Sequence, residues 1–166
     1  IARYTDLWEG RVPKRPYIAV TAPGDRRIEP PDDPLNPEDR WLNPEWILPD
    51  LLSRMENTWW GGESIPSYLL MGGWVAALGG RPRFSQRTIW FDSFPVDFSK
   101  ESPFVFAEDD VWAKKHERLY CEVARIAGRD NFLLGRPCLL PANDLLSMHM
   151  GTTTFLMALA DEPEWM

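Results

Sequence analysis

The chain has 166 residues and a net charge of −7, from 18 lysines and arginines against 25 aspartates and glutamates. That length supports one domain with a real core, and the acidic balance argues against nucleic acid, whose binders carry a basic face. Two cysteines, Cys121 and Cys138, give neither a disulfide framework nor a CxxC metal pair and predict a reducing, cytoplasmic setting; the longest apolar run, YLLMGGWVAALGG from Tyr68, is too short to span a bilayer and holds four glycines, so no membrane partner is expected.

In chain order, PYIAV (Pro16 to Val20) reads as a short buried strand, apolar and β-branched or aromatic. A proline- and acid-rich loop follows from Thr21 to Asp39. In NPEWILPDLLSRMENTWW, Asn43 is a helix cap and Pro44 a first helical residue. Pro49 sits badly inside a helix, so the main helix is expected to begin near it, run to about Trp60 and end at Gly61 and Gly62. The stretch SIPSYLLMGGWVAALGGRP is irregular with room for one short helix, and RTIWFDSF (Arg87 to Phe94) is a strand candidate.

EDDVWAKKHERLYCEVARIAG carries the clearest helical pattern. Trp112, His116, Leu119, Val123 and Ile126 recur at spacings of four and three on one face, acids open the helix, and Gly128 suits its end. Phe132 to Leu140 is a near-continuous apolar run, as in a strand buried on both faces of a parallel sheet. Asn143 is placed to cap a helix reaching about Met150, Gly151 interrupts it, and Thr152 is placed to cap the next. Asp161-Glu162-Pro163-Glu164 has the composition of another helix start. Alternating strands and helices predict an α/β fold with parallel strands.

Five landmarks occur in order: GRVPKRPYIAV, SIPSYLLMGGWVAALGG, RTIWFDSF, the helix EDDVWAKKHERLYCEVARIAG feeding an apolar strand, and LLPANDLLSMHMGTTTFLMALADEPEWM. Together they resemble the N-terminal half of the uroporphyrinogen decarboxylase-like family, which includes corrinoid-linked methyltransferases. The likeness runs from about Gly10 onward, and its most specific piece is a glycine between two helices followed by a D-x-P-E turn. The resemblance implies the front part of a (β/α)8 barrel. Such barrels need roughly 250 residues, so residues 1–166 are expected to form a single partial domain, truncated, with a missing C-terminal half or another chain completing the ring.

The resemblance also implies where chemistry would sit, because barrel enzymes work at the C-terminal ends of their strands. After the first strand the decarboxylases hold substrate carboxylates with an arginine pair, in a pattern like R-Q-A-G-R. The matching stretch is TAPGD: Gly24 agrees, while Thr21 and Asp25 stand at the arginine positions. Arg26 and Arg27 lie just beyond and are candidates to bind substrate in their place; the alternative is a solvated loop. An aspartate precedes the Ile-Pro turn in the decarboxylases. Here GGESIP supplies Glu63, either a proton-transfer carboxylate or a loop acid. Asn143 and Asp144 follow a predicted strand end, as substrate-binding and catalytic candidates respectively or as ordinary helix-start residues. Thr21, Arg26, Glu63, Asn143 and Asp144 are expected to line one mouth of the barrel.

His116, on the apolar seam, reads as a packed histidine. His116, Cys121, Cys138 and His149 lack zinc-ligand spacing, so no metal site is expected in this chain. The methyltransferase branch uses zinc-bound thiolate chemistry with ligands from the later half of the barrel; zinc, a corrinoid and a corrinoid protein therefore belong to the complete parent. The substituted arginine pair tilts the reading from porphyrinogen decarboxylation toward methyl transfer, with a tetrapyrrole, small acid or methyl donor as small-molecule substrate. Two other classes stand beside it: a non-catalytic partner subunit, and a carbohydrate-binding module using Trp41, Trp46, Trp59, Trp60, Trp74 and Trp90 as stacking platforms.

Overall fold

The structure is a computed structural model that describes residues 2–11, 15–69, 73–99, 106–130, 132–135 and 141–165. Its element order is α1 (Ala2–Trp8), β1 (Ala19–Pro23), α2 (Asp39–Leu42), α3 (Pro44–Glu56), β2 (Thr58–Gly62), β3 (Ser67–Tyr68), α4 (Gly73–Ala77), β4 (Arg81–Phe84), β5 (Ile89–Asp92), α5 (Val111–Asp130), β6 (Leu133–Leu134), α6 (Ala142–Met150) and α7 (Thr152–Asp161).

The core is built by two helices. Ile47 and Leu51 of α3 meet Leu119, Val123 and Ala127 of α5, with Phe132 closing the cluster. Spacings of four put each helix's apolar residues on one stripe, and two such stripes bury one another. The α5 seam follows the sequence expectation: His116, Leu119 and Val123 are buried and Trp112 and Ile126 half-buried. Asp110 begins this helix by accepting the backbone N–H groups of Trp112 and Ala113, both at 2.9 Å. The helix does not stop at Gly128 but continues to Asp130.

Helix α3 starts as expected: Asn43 accepts the Glu45 N–H at 3.0 Å, and Pro44 occupies the first helical position. It also contains Pro49, correcting the expected later start. The proline costs one backbone bond, but burial of Ile47 and Leu51 on either side holds the helix through it. The helix ends at Asn57 rather than at Gly61 and Gly62. Thr58, Trp59 and Trp60 form a strand instead, as β-branched and aromatic residues prefer.

Among the described residues, strands pair in three two-stranded sheets. The β1–β2 pair is antiparallel, with Thr21 opposite Trp60 and Ala22 opposite Trp59. The β4–β5 pair is also antiparallel, whereas β3 and β6 pair in parallel, Ser67 with Leu133 and Tyr68 with Leu134. The described residues are therefore mixed α and β with small sheets and no closed barrel, and the expectation of parallel strands holds for one pair of three. The first strand lies three residues later than expected and is exposed rather than buried along all its length. Strand β4 begins at the end of the stretch expected to be irregular, and the two-stranded ribbon accommodates its Pro82. The apolar run of Phe132 to Leu140 contributes two strand residues, and 136–140, including Cys138, lie outside the described residues.

At the C-terminal end, α6 and α7 flank Gly151, as the sequence indicates. The caps differ: Pro141 stands at the start of α6 and Gly151 at the start of α7, in place of Asn143 and Thr152. Asp161 closes α7, and Glu162 donates its N–H to Ala158 O at 2.9 Å. Residues 163–165 form a turn rather than a helix, with Trp165 edge-on to Phe98 at 5.1 Å between ring centroids. Among the described residues, no helix is long and apolar enough to cross a membrane.

Candidate functional site

The loop leaving β1 carries the candidate arginines and is folded back onto the end of α3. Gly24 donates its N–H to Asn57 O at 2.7 Å. The Asn57 side chain then grips Ile28 on both sides, accepting its N–H at 2.8 Å and donating to its carbonyl at 2.6 Å. A Cβ at Gly24 would lie 3.1 Å from Asn57 O, so the close approach explains the glycine. Between these anchors, Arg26 forms an ion pair with Glu56, and Arg27 donates to the carbonyls of Gly24 and, at 2.8 Å, Arg26. Both arginines are exposed. Asn57 was not singled out from sequence; an asparagine directly after a helix is the signal for it, since its side chain readily bonds nearby backbone.

Glu63 sits at the other end of the ribbon. Its N–H donates to Ile18 O at 2.8 Å, beside the Ala19–Gly62 pair, while Arg26 and Arg27 follow Pro23 at the far end. Four residue steps separate the two ends, about 13 Å of strand. The register thus divides the expected single mouth: Thr21 lies midway along β1 opposite Trp60, Arg26 follows the far end, and Glu63 is at the near end. Asn143 and Asp144 are exposed in the first turn of α6, which packs mainly against α7 and β5.

The Glu63 carboxylate is buried, with 7% side-chain exposure, and heavily bonded. One oxygen accepts the Ile18 N–H at 2.9 Å and an Arg15 nitrogen at 3.2 Å. The other accepts the second Arg15 nitrogen at 2.7 Å and lies 2.8 Å from Nε of Arg3. The Ile18 N–H, foremost, and then the arginines hold this acid below its ordinary value, against the opposing effect of burial. A carboxylate so committed is a poor proton carrier near neutral pH; the geometry gives it a tethering role. The backbone beside it requires glycine: Gly62 has φ 65°, and a Cβ there would lie 2.1 Å from Ile18 O.

His149 is also buried. It is fully enclosed at the end of α6, with Nδ1 2.9 Å from Leu145 O and Nε2 3.1 Å from Leu78 O. Its own carbonyl accepts the Phe94 N–H at 2.7 Å, and its ring meets Phe94 edge-on at 5.2 Å. It therefore joins α6 to the end of α4 and to the exit of β5. His116 is likewise packed, Nδ1 being 2.9 Å from Trp112 O. No three His, Cys, Asp or Glu side chains converge as a metal-ligand group among the described residues.

The tryptophans split into two kinds. Trp41, Trp46 and Trp60 donate their indole N–H groups to Ser85 O, Asp32 O and Met55 O at 2.7, 2.7 and 3.1 Å. These three are structural, and Arg40 lies over the Trp46 ring. Trp59 and Trp90 are exposed, and the Trp74 side chain lies outside the described residues.

No family model matches the chain, and comparison with curated proteins and with solved structures likewise returns no match.

Proposed function

We propose that the chain is part of a uroporphyrinogen decarboxylase-like (β/α)8 barrel enzyme, acting on a tetrapyrrole, small acid or methyl donor and closer to the methyltransferase branch. The observation that carries this reading is the parallel β3–β6 pair, with α5 leading into β6 and packing on it. A parallel pair needs a crossover connection, and a helix laid on the strand it feeds is the unit from which barrels are made. The five ordered landmarks of the sequence support the same reading. The remaining staves would come from residues outside those described or from another chain.

In this reading the β1 loop supplies the substrate contacts. Thr21 offers a hydroxyl, and Arg26 and Arg27 offer guanidinium groups for an acidic substituent. Asp144 is the candidate catalytic acid and Asn143 a candidate polar contact, each on the exposed first turn of α6. Glu63 holds the ribbon that presents the loop. The described residues do not assemble a zinc-ligand set, so no step is assigned through zinc or a corrinoid; ligands for either would lie elsewhere in the complete enzyme.

Methyl transfer from a methylated corrinoid to a thiol, followed by mass spectrometry of the thiol, tests the reading. Thiol methylation supports the methyltransferase branch, and carboxylate loss from uroporphyrinogen would instead select the decarboxylase branch. Neither activity in the protein made from its complete gene would contradict both.

A further inference from the structure

We propose that residues 2–11 are a charge-latched strap, closed over the base of the β1–β2 ribbon by Glu63 and able to open without unfolding the core. This inference is independent of the barrel reading. Helix α1 has seven residues and none of them is buried. A helix that short is marginal in water without outside support. Its support is polar and converges on one place. Arg3 lies against the Glu63 carboxylate at 2.8 Å and donates to the carbonyls of Arg15 and Pro16 at 3.1 and 3.3 Å. Tyr4 donates to the carbonyl of Glu63, and Tyr17 donates to that of Arg3. The Arg3 guanidinium also covers the Tyr17 ring, 4.8 Å from its centroid.

The same carboxylate fixes the chain on the other side of the strap, through both terminal nitrogens of Arg15. One charge therefore holds the helix and the segment entering β1 together. The core cluster of α3, α5 and Phe132 takes no residue from α1. Losing the latch should free residues 2–11 and leave that cluster intact, because local opening follows the contacts a segment itself makes.

Amide hydrogen exchange on the whole chain tests this. The probes are Glu9, Gly10 and Arg11, whose N–H groups bond to Thr5 O, Leu7 O and Asp6 O, with α5 amides as the internal reference. Glu63→Gln keeps the shape and removes the charge. It is expected to speed exchange of the three probes by about tenfold or more while α5 is unchanged. Unchanged probes, or probes and α5 accelerating together, would overturn the strap. Should Glu63→Gln fail to fold, Arg3→Gln decides by the same readout, since it removes only the strap's side of the latch: faster probes with α5 unchanged support it, and any other pattern overturns it.

Discussion

Arg15 meets Glu63 fork to fork, its two terminal nitrogens donating to the two carboxylate oxygens at 2.7 and 3.2 Å. With the Ile18 N–H and Arg3 this makes a buried anion whose pKa lies below its ordinary 4.5. A depressed carboxylate contributes stability that is fully present above its unfolded pKa and is lost as pH falls through the folded one. The groups that face it are Arg3, Arg15 and the Ile18 N–H. The urea midpoint of the native protein is therefore expected to drop as pH falls below that ordinary value, and that of Glu63→Gln to drop less. Parallel curves would remove Glu63 from the acid response.

His149→Ala is expected to destabilise the fold by about 2–4 kcal/mol, since it empties a fully buried site and removes the ring's contacts with the Leu145 and Leu78 carbonyls. Guanidinium denaturation measures it. A loss below about 0.5 kcal/mol, the scale of ordinary surface changes, would mean that α6 is not tied to α4 and β5 through this ring.

Asn57→Ala removes both bonds to Ile28 and should cost about 1–2 kcal/mol. Limited proteolysis should then cut within residues 24–28, where the native protein resists. Equal resistance would show that the loop is held by something other than Asn57.

Leu119→Ala is expected to cost about 2–5 kcal/mol, as it opens a cavity between α3 and α5 at a side chain only 1% exposed. Thermal unfolding of the variant checks it, and a loss under about 1 kcal/mol would place the core elsewhere.

Freeing the arginine of the β1 loop should raise affinity for an acidic substrate. Glu56→Gln removes the partner of Arg26 and is expected to lower KM by a few-fold, whereas Arg26→Ala should raise it by about tenfold with kcat less affected. Insensitivity of KM to both would leave the pair as surface structure.

Local chemistry was the legible part of this fold. The seam of His116, Leu119 and Val123, the Asn43–Pro44 start of α3 and the glycine between α6 and α7 each announce themselves within a turn or two of sequence. Partnerships across the chain were not. Trp59 and Trp60 join a strand rather than the preceding helix because β1, some forty residues upstream, offers a partner. Arg3 and Arg15 converge on Glu63 from 60 and 48 positions away, with no periodicity to reveal it. Of the candidate site, Thr21 proves to be a mid-strand residue opposite Trp60, and Arg26 and Arg27 lie in the loop beyond Pro23. The wider grouping with Glu63 depended on pairing register, which a single sequence does not encode locally.

The arrangement of β3 and β6 tests the central claim most directly. A crystal structure of the protein made from its complete gene is expected to show these strands adjacent and parallel within a closed ring of eight, with α5 on the outside. An open sheet, or a ring in which β3 and β6 are not neighbours, would contradict the barrel and the enzyme class drawn from it.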